Sequence, residues 1–195
     1  MKKFELTSEF VTFLGKKLFR IKALISFGNV EEGELGGYVE KEENLSNDGN
    51  AWVSGNARVY GNARVYGNAW VSGNARVYGD AMVHGDARVS GDAWVSGNAR
   101  VSGDARVSGD AMVHGDARVS GDADYATVQG FGSEYRTTTF FRTKAGDIGV
   151  RCGCFYGTLD DFRKKVKETH GDSKTAKEYL MVADLMEFRF SKEEA

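Results

Sequence analysis

The chain has 195 residues, with 25 glycines and no proline, where average usage would give roughly ten prolines. Hydrophobic residues make up 41%, charged residues 28% and aromatics 12%, a balance that excludes an intrinsically disordered chain. The net charge of -2 gives no bulk attraction to nucleic acid, and no apolar run approaches the ~20 residues of a membrane span.

Residues 1–49 read as an N-terminal β cap. The start, Met1-Lys2-Lys3-Phe4-Glu5, lacks the apolar core of a signal peptide, so a cytoplasmic protein is expected. Phe4 to Phe13 and Leu18 to Leu24 alternate loosely around Gly15-Lys16, which predicts a β-hairpin. Glu40 to Glu43 reads as a solvated turn.

Residues 50–123 are a repeat. From Ala51 to Asp122 a six-residue unit, A-x-V-x-G-[ND], recurs twelve times, with valine at every sixth position from Val53 to Val119. A period of six fits neither 3.6 nor a heptad, so the repeat is not helical. Ala and Val, two apart, lie on one side of a short strand, and the residues flanking Val lie on the other. Gly-Asn or Gly-Asp then turns the chain, because both residues tolerate positive φ. A short strand and a turn every six residues predict a coil of parallel strands stacked ~4.8 Å apart. Val39 and Leu45 precede the repeat after a two-residue slip, and Tyr125 and Phe131 continue its phase. A partial coil is therefore expected at each end.

Residues 124–195 read as a small α+β cap. Thr137–Thr143 and Ile148–Phe155 flank Lys144-Ala145-Gly146-Asp147, a second hairpin that places Cys152 and Cys154 on one strand and one face. Two cysteines so spaced make no disulfide framework and at most half a zinc site. Thr158-Leu159-Asp160-Asp161 resembles a capping box, and Leu159, Phe162 and Val166 follow at helical spacing. His170-Gly171 ends that helix. Ser173 caps another, with an apolar stripe of Ala176, Tyr179, Leu180, Ala183 and Met186.

The unit Val53-Ser54-Gly55-Asn56-Ala57-Arg58 resembles that of the hexapeptide-repeat proteins. The resemblance implies a mainly β fold: a left-handed parallel β-helix of four to five 18-residue coils, with the β-hairpin cap before it and the α+β cap after it. Three further segments carry a more specific resemblance: Gly33-Glu34-Leu35-Gly36-Gly37-Tyr38-Val39-Glu40, Cys152-Gly153-Cys154-Phe155 and Glu168-Thr169-His170-Gly171-Asp172. With them the chain is similar over its length to hexapeptide-repeat proteins of bacteriophages and prophages, which implies a host-cytoplasmic protein without a settled enzymatic role.

Eighteen residues per coil put outward side chains in columns. One holds Trp52, Trp70, Arg88 and Arg106; a second Arg58, Arg76, Trp94 and Met112; a third Arg64, Met82, Arg100 and Arg118. After the valines run Tyr60, Tyr78, Ser96 and His114 and, on another face, Tyr66 and His84. Aromatics interleaved with arginine are both stabilising ladders and frequent interface anchors. The candidate binding residues are therefore Trp52, Trp70, Trp94, Arg58, Arg76, Arg88, Tyr60, Tyr66, Tyr78, His84 and His114. The seven repeat arginines also suit pairing with the corner aspartates.

Catalysis has little to stand on. His84 and His114 are 30 residues apart, so they fall on different faces. The segments Asp80–Asp92 and Asp110–Asp122 are identical, which reads as copied scaffold. No metal, cofactor or catalytic residue is assigned, and the nonapeptide calcium signature is absent. The resulting expectation is a non-enzymatic binding protein. Its partner would be its own homotrimer, a host protein or a small nucleotide ligand, with inhibition of a host defence system as one form. An acyltransferase-like enzyme and a structural, polymer-forming protein are the alternatives.

Overall fold

The computed structural model describes residues 2–191. Three strands come first: β1 (Phe4–Phe13), β2 (Lys16–Ala23) and β3 (Leu35–Val39). Twelve two-residue strands follow, from β4 (Trp52–Val53) to β15 (Arg118–Val119), each ending on a repeat valine. Strands one coil apart pair in parallel at a displacement of 18 residues, as Trp70 with Arg88 and Arg88 with Arg106. The result is a parallel β-solenoid of about five turns with three flat faces.

The repeat folds this way because of two small inward residues. Every repeat Ala and Val is fully buried, in layers from Ala51 and Val53 down to Ala117 and Val119. Each buried valine contributes about 1.5–3 kcal/mol, so twelve of them, three to a coil, hold a solenoid whose strands are only two residues long. The corners need glycine. At Gly91 the backbone has φ +68°, and a Cβ there would sit 2.9 Å from the amide nitrogen of Gly109 in the next coil.

Within each paired strand the bonds alternate in direction, as a parallel ladder requires, but those that flank the strands and cross the corners run downward. Trp52 N–H donates to Ala69 O at 3.0 Å, Ser54 N–H to Val71 O at 2.8 Å, and the pattern repeats downward. The first coil therefore presents mostly carbonyls upward, and the last presents mostly N–H groups downward. The caps match that polarity. At the top, β3 lies parallel to Arg58–Val59, and Tyr38 and Glu40 donate to the carbonyls of Ala57 and Val59. Buried Asn44 donates to Gly61 O and Ala63 O at 3.1 and 2.9 Å. Lys3 Nζ donates to Ala51 O at 2.9 Å and Gly49 O at 3.2 Å. At the bottom the side chains are acceptors. Asp122 receives Arg106 N–H, Thr139 receives Met112 N–H and Asp124 receives Ser120 N–H, at 2.8–2.9 Å.

The predicted N-terminal hairpin is β1–β2, and Leu45 bridges in parallel to Val65, so a partial coil stands at that end. The C-terminal end differs from expectation. Tyr125 does not continue the coil: it opens β16 (Tyr125–Val128), antiparallel to β17 (Thr138–Arg142), and Phe131 lies exposed in the loop between them. The physical reason is Asp124, whose carboxylate closes a turn onto the N–H groups of Ser120 and Gly121. β18 (Ile148–Cys152) and β19 (Phe155–Thr158) complete a four-stranded antiparallel sheet, on which α1 (Leu159–His170) and α2 (Lys174–Phe190) pack. Thr158 and Asp161 form the reciprocal cap of α1, and Ser173 caps α2. Cys152 and Cys154 do not share a strand. β18 ends at Cys152, Gly153 takes φ +57°, and Cys154 sits in the turn.

Candidate functional site

The registers reproduce the outward columns. Trp52 pairs with Trp70, Arg58 with Arg76, Arg76 with Trp94, and Arg64 with Met82. The three faces are nevertheless not equivalent, because the N-terminal cap folds over two of them.

The face bearing Arg58, Arg76, Trp94 and Met112 is covered at its upper end by the β1–β2 hairpin. Phe13 lands between the columns. The guanidinium groups of Arg58 and Arg76 lie 4.6 and 5.0 Å from its ring centre, and Tyr60 meets it edge-on at 5.8 Å. Tyr60 stacks on Tyr78 at 5.1 Å with the rings parallel to within 2°, and Arg76 also covers Trp94. Tyr60 is buried, and burial pushes its phenol up to about 12. These residues form an internal cation–π and stacking network. They are not an open binding surface, which corrects the expectation for Tyr60, Arg58 and Arg76. Phe13 carries no local signal of this role: it is one apolar residue of a hairpin, and only the fold of the hairpin across the face shows it.

Trp52 is corrected likewise. It is fully buried, with Phe27 edge-on at 5.5 Å, and its indole N–H has no acceptor. It serves as the lid of the uppermost coil.

Below that lid the surface is open around one corner of the solenoid. On one side of the Asn68–Asp86 corner, Tyr66 stacks on His84 at 4.7 Å, flanked by exposed Arg64 and Arg100. On the other, half-buried Trp70 donates its indole N–H to Ser54 Oγ at 3.1 Å, above exposed Arg88 and Arg106. Serines 72, 90 and 108 keep that face flat. An open groove of about 610 Å³ is lined by Leu45, Arg64, Tyr66 and Met82, and another of about 730 Å³ by Asn68, Trp70, Asp86 and Arg88.

The electrostatics differ from expectation. No ion pair among the described residues includes a repeat arginine. Corner aspartates instead accept from the asparagine one coil above, as Asn68 to Asp86 at 3.0 Å and Asn62 to Asp80 at 3.1 Å. Asp80, Asp86 and Asp116 are held in this way, and Arg64, Arg88, Arg100 and Arg106 have no carboxylate partner among the described residues.

The two repeat histidines lie on different faces. His114 Nδ1 and Ser96 Oγ are 2.8 Å apart, and Tyr156 of the C-terminal cap meets the imidazole edge-on at 4.9 Å. Burial lowers the pKa of both histidines, helped by Arg100 beside His84 and Arg151 beside His114. Ser96 is only 4% exposed, whereas His114 is half-buried. Among the described residues no three His, Cys, Asp or Glu side chains gather as a metal-binding group.

This architecture defines a repeat β-solenoid protein. A family model described as the YdcK beta solenoid repeat matches residues 57–73, 69–85, 75–91, 93–109 and 99–115. Each match begins on a repeat alanine, in register with the six-residue unit. No curated protein matches the chain.

Proposed function

We propose that the chain is a non-enzymatic binding protein of the phage type its sequence resembles. It engages an acidic partner through the open corner that carries Arg64, Tyr66, Trp70, His84, Arg88 and Arg100. One observation carries this reading: the exposed arginines Arg64, Arg88, Arg100 and Arg106 have no ion-pair partner among the described residues, and they flank the half-buried rings of Tyr66, His84 and Trp70. Unpaired arginine beside aromatic surface is the composition of an interface core. The capped, polarity-matched ends support a coil of fixed length over an end-to-end polymer. A homotrimer seated on these faces, or a host protein such as a defence component, are the partners expected.

The test is affinity capture from host lysate with the wild type and with Arg64→Glu/Arg100→Glu, beside light scattering of both. A partner or oligomer lost in the variant supports the corner. Identical capture and identical mass for the two proteins rule it out.

A further inference from the structure

The two cysteine- and histidine-bearing motifs of the C-terminal cap are 13 residues apart in sequence, from Phe155 to Glu168, yet they meet at one cavity. Cys152, Gly153, Cys154 and Phe155 come from the β18–β19 turn, and Thr169 and His170 from the end of α1. The cavity holds about 280 Å³, and Phe155, Phe162, Val166 and Tyr179 wall it. Gly132 keeps it compact, since a Cβ there would collide with the Tyr179 ring.

We propose that this cavity is a two-coordinate site for a soft monovalent cation, Cu(I) in class, held by the sulfurs of Cys152 and Cys154. The turn brings both cysteine residues to the lining of one cavity, because Gly153 at φ +57° reverses the chain between them. Cys154 is exposed and gives access, whereas Cys152 is half-buried, with Thr138 Oγ1 donating to its sulfur at 3.2 Å. Thiolate pairs select soft ions. Zinc needs four donors, and no third metal-binding side chain gathers with these two among the described residues. Hard cations prefer several oxygen ligands, and the one carboxylate that lines the cavity, Glu134, is paired with Arg136 at 3.4 Å.

The charges agree. Two thiols that bind one monovalent cation release two protons and leave a bis-thiolate complex of net charge −1. Arg136 and Lys165 line the same cavity beside the thiols, each within ion-pair distance of one carboxylate, Glu134 at 3.4 Å and Glu168 at 3.6 Å. The ion keeps its oxidation state, so no electron donor or acceptor is involved.

Reduced, full-length protein should be titrated without oxygen against the coloured Cu(I)–bicinchoninate complex. The expected result is withdrawal of one equivalent, at least about tenfold tighter than by an acetyl-Cys-Gly-Cys-amide peptide, because the surrounding side chains add to the two sulfurs. Cys152→Ser and Cys154→Ser should each abolish that advantage, and Lys165→Glu should weaken binding several-fold. Far-ultraviolet circular dichroism confirms folding, and Cys154, being exposed, is the safer substitution. Affinity equal to that of the peptide, undiminished binding by Cys154→Ser, or no withdrawal would each overturn the site.

Discussion

The ammonium of Lys3 donates to the carbonyl of Ala51 at 2.9 Å from a side chain that is almost wholly buried. It also lies 4.6 Å from the centre of the Phe27 ring. Lys3 thus replaces the coil that would otherwise lie above Ala51. Burial lowers its pKa to about 8 against Asp48, which acts in the opposite sense. The unfolded chain, with an ordinary value of 10.5, binds more protons between those limits, so this group makes stability rise with pH from about 8 to 10.5. Urea midpoints measured across that interval should increase for the wild type. Lys3→Met should flatten the increase and cost about 1–3 kcal/mol at neutral pH, because the Ala51 carbonyl loses its donor.

The opposite end makes the complementary demand. Thr139 and Asp124 accept from the N–H groups of Met112 and Ser120, which have no coil beneath them. Thr139→Val keeps the shape and removes the acceptor, leaving a buried donor unpaired at about 1–3 kcal/mol. Asp124→Ala should cost a similar amount, and the two should add, since they serve different faces. Truncation after residue 123 removes the cap altogether. Light scattering should then show open-ended association, because the last rung presents a row of unpaired N–H groups.

The repeat was legible from sequence because inward residues are the same in every unit: Ala and Val at a period of six admit one arrangement. The columns followed by arithmetic. What covers the columns did not. Trp52 and Trp70 have near-identical local sequence, yet one is a sealed lid and the other borders a groove. The difference is Phe27, 25 residues away, and no six-residue pattern encodes it. Phe13 acts on Arg58 and Arg76 in the same non-local way. Arginine–aspartate pairing is a sound chemical expectation, but Asp80 and Asp86 accept instead from the asparagine one coil above and in line.

His84 and His114 make stability fall in mild acid. Burial, with Arg100 and Arg151 respectively, holds their folded values below the ordinary 6.5. Once pH falls through 6.5, the unfolded chain takes up protons that the folded one resists, and stability is lost until the folded histidines also titrate. Urea midpoints should therefore drop between about pH 7 and pH 5.5, before most carboxylates titrate. His84→Gln with His114→Gln should remove most of that drop.

Two corner glycines separate conformational strain from crowding. Gly91 and Gly109 both have positive φ, +68° and +64°, and lie in consecutive coils of one column. A methyl group on Gly91 would meet the Gly109 backbone at 2.9 Å, whereas one on Gly109 would meet nothing within 4 Å. Gly109→Ala should therefore cost only the left-handed backbone strain of about 1–2 kcal/mol. Gly91→Ala should cost that and more, because the group beneath it is the Gly109 backbone, which cannot rotate aside as a side chain could. Equal urea midpoints for the two variants would show that the coils can spread, and that the close spacing at the corners is not what demands glycine.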